Sequence, residues 1–378
     1  MVEIKSVTEV ITKGTTPTSV GYTFMNAGIN FVKIEAIRED GHFLEEKFAF
    51  INDDCNNKLE RSKLQEGDVL FSIAGALGRV AVVTNNILPA NTNQALSIIR
   101  PIRDKLSSKF LFWMLKSDHT INEIVTLKVG VAQFNLSLKQ IGELQFPLPP
   151  MEVQEKIVAE LDAYQKITDG AKQIVENYKP TIKINPDWPM VELGKIAGIN
   201  ETSEDPVKSY GQNEFVYIDI SSIENGSGKV SFSNKLKGVD APSRAKRKVK
   251  KGDILLSTVR PNLQAFGYLE EVPENAIAST GFAVLTPSPD KVIGKYIYFM
   301  LFEHIVLDQM IDKMGKGAYP SINQKDVFHL KFPLPPLKTQ QKIVAEIEAE
   351  RELVEANKKL IEIFGKKIKD KIGEVWGE

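Results

Sequence analysis

The sequence predicts an α+β fold in which two similar mixed α/β domains are joined by two long antiparallel coiled-coil helices, as a pseudo-two-fold internal repeat. Three observations support this prediction. Residues 146–161, FPLPPMEVQEKIVAEL, recur at 332–347 as FPLPPLKTQQKIVAEI, with eleven of sixteen positions identical at an offset of 186 residues. The chain of 378 residues is too long for one ordinary core. A pattern of apolar residues at heptad spacing follows each copy of the repeat.

The same offset recurs with weaker identity elsewhere, which argues for a duplicated domain. The segment GDVLFS at 67–72 matches GDILLS at 252–257, and KFLFWML at 109–115 matches KYIYFML at 295–301. Between these anchors the two halves differ freely. A shared scaffold with divergent loops is typical of two modules that do the same kind of work on different targets.

Each half has the pattern of short strands separated by glycine-containing turns. The predicted strands of the first half are 31–37, 68–73, 80–84 and 95–99, and those of the second half include 215–220, 254–259 and 282–285. Apolar residues at helical spacing predict one helix from Ser108 to about Val125 and another from about Gly294 to Met310. We therefore expect a curved, mainly antiparallel sheet with helices in each half.

Each PLPP segment forms an extended strut, because proline fixes φ and favours extended backbone. The helix after each strut has a heptad seam, whose residues are Ile157, Leu161, Tyr164, Val175, Ile343, Ile347, Val354 and Ile361. We expect the two helices to pack on each other antiparallel; the alternative is that each packs on its own globule. The predicted segments are a first domain at 1–149, a spacer helix at 150–180, a second domain at 181–335 and a second spacer helix at 336–378.

Composition and motifs exclude several classes of protein. Apolar residues make up 42% and charged residues 26%, as in ordinary globular chains, and no run of eighteen apolar residues predicts a membrane span. We read no signal peptide and expect a cytoplasmic protein. Cys55 is the one cysteine and the four histidines are scattered, so we expect no disulfide and no metal site. The sequence has no GxxxxGK[ST], HExxH or GxSxG motif, so we expect no catalytic residues, no bound cofactor and no enzyme.

The formal net charge of −1 hides a basic run at 244–251, RAKRKVKK, with six basic residues in eight. A charge run of this kind is often a solvated face. The alternative is contact with the phosphates of a nucleic acid.

With the duplicated globules, the PLPP struts, and the segments QEKIV at 154–158 and QQKIV at 340–344 in place, the chain resembles the DNA-specificity (S) subunits of type I restriction-modification systems. The resemblance covers the whole length and includes the GD-hydrophobic-L strand and the opening WPMVELG at 188–194. The first half departs slightly, since its opening VEIKSV at 2–7 lacks the tryptophan and the glycine.

The resemblance implies a non-catalytic reader of double-stranded DNA with two target-recognition domains. Each domain would read one half of a bipartite, asymmetric site, while the helices set the spacing between the halves and dock two methyltransferase (M) subunits. Restriction (R) subunits would join in the full complex. S-adenosylmethionine would be bound by the M partner, so no cofactor is expected on this chain.

Base-reading residues must be polar, flat or forked, and are expected on turns. The candidates in the first domain are Arg79, Asn91, Asn93, Gln94, Gln133 and Asn135, and those in the second are Arg260, Asn262, Gln264, Tyr319, Ser321 and Asn323. For any one of them the alternative is a role in stabilising a turn. The candidates for phosphate contact are Arg244, Lys246, Arg247 and Lys248.

Three other functions stay open at this point. The chain could be the specificity component of a related system in which the partner fuses nuclease and methyltransferase. It could be a coiled-coil protein scaffold with two protein-binding lobes and no DNA contact. It could also be a methyltransferase or nuclease in its own right, which methyl transfer by the isolated chain would reveal.

Overall fold

A computed structural model describes residues 1–126, 135–315 and 320–377. The chain divides into two compact units: unit 1 is Met1–Glu176 with Ala356–Glu378, and unit 2 is Asn177–Glu355. Unit 1 is therefore built from both ends of the chain. The predicted domain boundaries follow the order of the repeat along the sequence, whereas these units follow the packing.

Unit 1 has short strands and helices in the order that its sequence pattern predicts. Its strands are β1 (Val2–Glu3), β2 (Thr8–Lys13), β3 (Ile29–Val32), β4 (Ala49–Ile51), β5 (Val69–Ser72), β6 (Val80–Val82), β7 (Ala90–Thr92), β8 (Leu96–Pro101) and β9 (Gln145–Phe146). Its helices are α1 (Asp53–Lys58), α2 (Ser108–Lys116), α3 (Asp118–Thr126), α4 (Leu138–Glu143) and α5 (Met151–Asn177), which ends at the unit boundary.

Two sheets and a short strand pair organise unit 1. One antiparallel sheet has the order β2-β8-β5-β6, a second has the order β4-β3-β7 with β3 and β7 parallel, and β1 pairs with β9. Strand β5 is buried on both faces, because Val69 and Phe71 pack in the same cluster as helix α2, whereas Leu70 packs with Val32 of the second sheet. This double burial explains why β5 reads as a continuous apolar run.

Unit 2 repeats this order of elements. Its strands are β10 (Met190–Glu192), β11 (Ala197–Ile199), β12 (Glu214–Ile218), β13 (Lys235–Lys237), β14 (Ala245–Lys248), β15 (Ile254–Ser257), β16 (Phe266–Tyr268), β17 (Ala276–Ser279), β18 (Phe282–Pro287) and β19 (Lys331–Pro333). Its helices are α6 (Pro206–Tyr210), α7 (Gly294–Met300), α8 (His304–Lys313), α9 (Gln324–Phe328) and α10 (Leu337–Trp376), which continues into unit 1.

The sheets of unit 2 match those of unit 1 strand for strand. The order β11-β18-β15-β16 corresponds to β2-β8-β5-β6, and β13-β12-β17 corresponds to β4-β3-β7. Strand β14 is added at the edge beside β17. As in unit 1, the central strand is buried on both faces, with Ile254 and Leu256 in one core cluster and Leu255 in another. The predicted α+β class with an internal repeat is confirmed.

The prediction of one continuous helix in each unit is wrong at both places. In unit 1, helices α2 and α3 are separated at Ser117, whose buried side chain accepts a hydrogen bond from the N–H of Thr120 at 3.1 Å. This local bond competes with the helical pattern and starts a new helix. In unit 2, α7 ends at Met300 and α8 begins at His304. The predicted strand at 31–37 is also too long, because β3 ends at Val32 and a single tight turn follows at Ile34–Ala36.

Helices α5 and α10 pack antiparallel, as the heptad seam predicts. Within unit 1 the rings of Tyr164 and Phe364 lie 5.5 Å apart, and Lys371 forms an ion pair of 3.0 Å with Glu160. Within unit 2 the hydroxyl of Tyr178 donates to Glu350 at 3.2 Å, and burial together with this carboxylate raises the pKa of Tyr178 to about 12.

The predicted seam residues also pack on the globules. Ile157 and Leu161 belong to the core of unit 1, and Ile343 and Ile347 belong to the core of unit 2. Val175, Val354 and Ile361 are half-buried farther along the helices. The two alternatives that the sequence left open are therefore both realised, at different turns of the same helices. Among the described residues, no helix is at once long enough and apolar enough to cross a membrane.

Candidate DNA-contacting surface

Three chain segments meet at the same edge of each unit, and backbone hydrogen bonds hold them together. In unit 1 the N–H of Ile73, in the loop after β5, donates to Ala95 O, and the N–H of Leu136 donates to Ile73 O, both at 2.9 Å. We call this edge of each unit the loop surface: residues 73–79, 93–95 and 135–137 in unit 1, and 258–264, 279–281 and 320–323 in unit 2.

Unit 2 makes the same junction with unlike side chains. The N–H of Thr258 donates to Gly281 O and the N–H of Ile322 donates to Thr258 O, again both at 2.9 Å. The two loop surfaces thus share a backbone scaffold. Because the exposed side chains on this scaffold differ, the two loop surfaces can recognise different ligands.

The loop after β15 carries the predicted residues Arg260, Asn262 and Gln264. Arg260 and Gln264 have φ of 49° and 56°, a left-handed conformation that is unfavourable for residues other than glycine. The N–H of Arg260 donates to Pro320 O at 2.8 Å, which ties this loop to the segment with Ser321. Arg260 and Asn262 are exposed and Gln264 is half-buried. Strained residues on a loop that its neighbours hold in place are typical of binding sites.

The remaining candidates of unit 2 stand beside this loop. Ser321 is exposed and pairs with Val259 through an isolated bridge. Asn323 caps helix α9, since its side-chain oxygen accepts from the N–H groups of Lys325 and Asp326 at 2.8 and 3.0 Å. Its carboxamide oxygen is therefore occupied, although the residue is exposed. Tyr319 lies outside the described residues.

In unit 1 four of the predicted residues lie on the loop surface, and Arg79 is one of them. Gln94 is exposed, and its carboxamide oxygen accepts from the Thr16 hydroxyl. Asn93 is half-buried and holds its turn by accepting from the N–H of Ala95 at 3.1 Å. Asn135 is exposed. Gln133 lies outside the described residues.

Asn91 is removed from the candidates, because the structure places it in the core. It is fully buried, its amide donates to Asn56 Oδ1 at 3.0 Å and to Leu59 O at 3.1 Å, and its oxygen accepts from Ser62 at 2.7 Å. A side chain that is buried and hydrogen-bonded in this way cannot reach a base edge.

Arg79 also has a structural role in this conformation. Its guanidinium donates to Ile34 O and Ile37 O at 3.1 and 2.8 Å, which fixes the turn after β3. The residue is half-buried. Base contact by Arg79 would require these two bonds to be replaced.

The basic run coincides with edge strand β14, and its four predicted phosphate contacts are not equivalent. Arg244 and Lys246 are exposed, and Arg244 O accepts from the N–H of Thr280 at 2.8 Å, which places Arg244 beside the loop surface. Arg247 is half-buried; burial lowers its pKa, and its Nε has no hydrogen-bond partner in the described part of the chain.

Lys248 does not fit the predicted phosphate contact. Its ammonium pairs with Glu204 at 2.8 Å and donates to Glu274 O at 3.0 Å. Burial opposes the charge of this ammonium, but the bonds to Glu204 and Tyr210 prevail and raise its pKa. Because its charge is already compensated, we correct Lys248 to an internal ion-pair partner.

Two threonines on or beside the loop surfaces, the exposed Thr280 and the half-buried Thr16, were missed by the sequence reasoning. Thr280 is exposed on the turn between β17 and β18, and Thr16 contacts Gln94. The internal repeat contains a signal for Thr280, since the offset of 186 residues places it opposite Gln94. No comparable signal marks Thr16.

Comparison with known proteins agrees with this architecture. The model of the family described as the type I restriction modification DNA specificity domain matches residues 1–177 and again residues 185–363. The chain is 25% identical over 397 residues to the type I restriction enzyme MjaX specificity subunit of Methanocaldococcus jannaschii, covering 94% of this chain and 88% of that protein. It is 28% identical over 147 residues to the HindI specificity subunit of Haemophilus influenzae, which is 38% of this chain and 29% of that protein.

Two solved structures have a similar fold. A chain from a structure of complex assembly and conformational transition in the type I R-M system aligns with a TM-score of 0.59 and 20% identity, over 99% of this chain and 96% of that one. The S subunit of the type I restriction-modification system from M. genitalium aligns with a TM-score of 0.54 and 14% identity, over 99% and 95% of the two chains. Because the family model matches both halves, the chain belongs to the type I restriction-modification specificity subunits, the non-catalytic components that recognise the DNA target.

Proposed function

We propose that each unit reads one half of a bipartite, asymmetric site in double-stranded DNA through its loop surface. The observation that supports this most directly is the shared backbone junction with unlike exposed side chains. Gln94 and Asn135 of unit 1 stand where unit 2 has Thr280 and Ser321, and unit 2 adds Arg260. Hydrogen-bonding groups of different kinds at equivalent places favour different bases.

Phosphate contacts position such a reader without specifying sequence. Arg244 and Lys246 suit this role in unit 2, because both are exposed and Arg244 lies beside the turn at Thr280. Arg247 belongs to the same strand and stays in the proposal. Its guanidinium is half-buried and its Nε is buried, so a phosphate contact would be made by the Nη groups.

The helix pair in unit 1 has a second apolar face, which supports the docking of methyltransferase (M) subunits. Val158 and Ile372 pack into the core of unit 1 on one side of the pair. On the helices' outward side Ile167, Ile174, Leu360 and Ile363 are 40%, 49%, 37% and 51% exposed. We call these four residues the outward face.

The outward face follows from the heptad pattern. Ile167 and Ile174 are one heptad apart on α5, and Ile174 precedes the seam residue Val175 by one position. Leu360 stands in the same relation to Ile361 on α10. In an antiparallel pair such flanking positions lie on the same side.

An exposed apolar stripe on helices is a surface for other helices. We assign the outward face to M subunits, two of which the family resemblance implies, with R subunits joining in the full complex. A related system with a fused nuclease-methyltransferase partner would use the same surfaces. The gene beside this one discriminates between the two.

Selection from randomised duplexes tests the reading function directly. The chain, alone and with its M partner, is incubated with a duplex library, and the retained sequences are determined. We expect two unlike conserved elements separated by a gap of constant length. The absence of salt-dependent DNA binding, with and without the partner, would favour the protein-scaffold alternative instead.

Helix length is proposed to set the gap. Helix α5 has 27 residues, which at 1.5 Å each is about 40 Å. Inserting one heptad into both α5 and α10, at the level of Thr168 and Ile361, keeps the seam in phase and adds about 10 Å, or about 3 base pairs. Both conserved elements should survive with a longer gap. A constant gap in an active variant would show that the helices do not set the spacing.

A further inference from the structure

The side chain of Arg351 on helix α10 contacts the turn at 224–229 in unit 2. The guanidinium of Arg351 donates from Nη2 to Ser227 O at 2.9 Å. The hydroxyl of Tyr298 donates to the same carbonyl at 3.2 Å. The Arg351 guanidinium also lies over the rings of Tyr298 and Phe299, 5.7 and 5.4 Å from their centroids. Ser227 O is therefore held by two donors, one of which comes from the spacer helix.

The turn at 224–229 has little room to move away from this contact. Ile223 and Val230 pair across its base, and the N–H of Gly228 donates to Glu224 O at 3.0 Å. Gly228 has φ of 71°, and a Cβ on it would lie 2.0 Å from the Tyr298 hydroxyl oxygen and 2.7 Å from Phe266 O. Only glycine fits this close approach to α7 and β16.

The same turn contacts the loop after β15 on its other side. The N–H of Gly226 donates to Gln264 O at 3.4 Å. Gln264 is one of the two residues of that loop with left-handed backbone, and its own N–H donates to Pro261 O at 2.9 Å. Left-handed conformations of such residues persist only where surrounding contacts hold them.

We infer that Arg351 is a positioning residue for DNA reading by unit 2. It acts through Ser227 O and Gly226 on the backbone of Gln264, and so holds Arg260 and Asn262 in the geometry that meets the DNA. Arg351 itself contacts no base in this arrangement. The inference rests on the proposed reading function of the loop surface and adds a link from the spacer helix to one half-site.

Among the described residues of unit 1 no such link is present, so this unit supplies the matched control. The residue 186 positions before Arg351 is Gln165, whose carboxamide donates to Asp169 on its own helix at 2.7 Å. The residue equivalent to Tyr298 is Phe112, which has no hydroxyl group to donate. We therefore expect the link to act on one half-site only.

The first test needs no DNA. Amide hydrogen exchange is compared among the wild-type chain, Arg351→Ala and Gln165→Ala. In Arg351→Ala the amides of Gly226 and Gln264 should exchange about tenfold faster than in the wild type, the size expected for a modest coupling between sites. Gln165→Ala should leave them unchanged. Unchanged exchange in Arg351→Ala would show that the turn holds the loop without the helix, and would overturn the inference.

The second test repeats the duplex selection with the same variants. Arg351→Ala should lose about tenfold in base preference within one conserved element and keep the other. The dependence of affinity on salt should not change, because no phosphate contact is lost. Arg351→Lys, which keeps a cation over the rings and one donor, should restore part of the preference.

The outcomes separate this inference from the proposed function. If the wild-type chain selects two elements and Arg351→Ala selects both with wild-type preference, the positioning role is wrong and DNA reading stands. If Arg351→Ala weakens both elements equally and lowers the salt dependence, Arg351 contacts phosphate directly and the inference is also wrong. If the wild-type chain selects nothing, the proposed function fails, whatever the exchange rates show.

Discussion

Gln154 and Ser107 are joined by a hydrogen bond of 2.9 Å, in which the carboxamide oxygen of the fully buried Gln154 accepts the backbone N–H of Ser107. The amide of Gln154 donates to Lys105 O at 3.0 Å and Pro149 O at 2.8 Å. Gln340 makes the matching set in unit 2, with Ile293 N–H at 2.9 Å, Lys291 O at 3.4 Å and Pro335 O at 2.8 Å. The repeated glutamine therefore links the first turn of each long helix to its PLPP strut by hydrogen bonds. It links the same turn to the segment before α2 in unit 1 and before α7 in unit 2.

Replacing either glutamine should destabilise the unit that contains it. Gln154→Ala removes the side-chain partner of the half-buried Ser107 N–H and of two carbonyls, which costs about 1 to 3 kcal/mol for each group that stays unpaired and shielded from water. We expect a lower midpoint for unit 1 in denaturant-induced unfolding and little change for unit 2, with the reverse for Gln340→Ala. Glu155→Ala, an exposed neighbour on the same helix, is the control. Equal effects of Gln154→Ala and Glu155→Ala would refute the role of the glutamine.

The stability of unit 2 should depend on pH through Asp253. This buried carboxylate accepts from the N–H of Lys250 at 2.9 Å and from the Thr286 hydroxyl at 2.8 Å, and burial raises its pKa. The folded state then holds the proton more tightly than the unfolded state. The stabilisation is complete below the ordinary aspartate pKa of about 3.9 and is lost as the pH rises through the raised pKa of the folded state.

Asp253→Asn removes this titration while keeping the shape. We expect the free energy of unfolding of the wild type, minus that of Asp253→Asn, to fall as the pH rises above about 4 and to level off once the carboxyl of the folded state is ionised. Urea unfolding at several pH values measures it. A difference that stays constant or rises with pH would contradict the prediction. In unit 1 the buried carboxylate at the matching position, Asp68, is instead paired with the Arg100 guanidinium, through hydrogen bonds of 2.7 and 2.8 Å.

Arg244 and Lys246 should contribute to DNA binding through phosphates. Replacing both with alanine should weaken binding about equally on all sequences and reduce the slope of log K against log salt by roughly 1.8, at about 0.9 for each lost contact. Lys248→Ala serves as the control on the same strand, because the Lys248 ammonium is already paired with Glu204. The affinity for DNA is measured at several salt concentrations. If Lys248→Ala reduces the slope as much as the double variant does, Lys248 also contacts phosphate and the prediction is wrong.

The outward face should carry the M subunits. Ile167→Glu and Ile363→Glu each place a carboxylate in the centre of an apolar contact, so we expect the affinity for the M subunit to fall about 30-fold or more. Lys359→Glu changes an exposed residue of α10 outside this face and is the control. Sedimentation of the chain with its partner gives the affinity. Wild-type assembly by both isoleucine variants would place the docking surface elsewhere.

The repeat, the order of elements and the long helices could be predicted because each depends on residues close together in the chain. Sixteen residues with eleven identities mark the duplication, and heptad spacing marks the helix pair. The ends of the helices inside the two units could not be predicted from the sequence in the same way. The apolar spacing at 108–125 is helical throughout, yet the buried Ser117 interrupts it by capping the next helix.

The candidate residues divide in the same way. Sequence placed Arg260, Asn262 and Ser321 on turns, and the structure brings them together through Pro320 O and Val259. Asn91 also has the chemistry of a base reader, but its partners Asn56, Leu59 and Ser62 lie 29 to 35 residues earlier in the chain. No local pattern marks such a side chain as buried.

By itself, the sequence determined that this protein is a duplicated α+β chain with two long helices, since identity at a constant offset and periodicity are properties of the chain alone. Only the tertiary structure decided which polar groups remain available for a ligand. Lys248 and Glu204 pair across 44 residues, and Arg351 meets Ser227 across 124. Burial and charge compensation depend on contacts between residues distant in sequence, and those contacts exist only once the chain has folded.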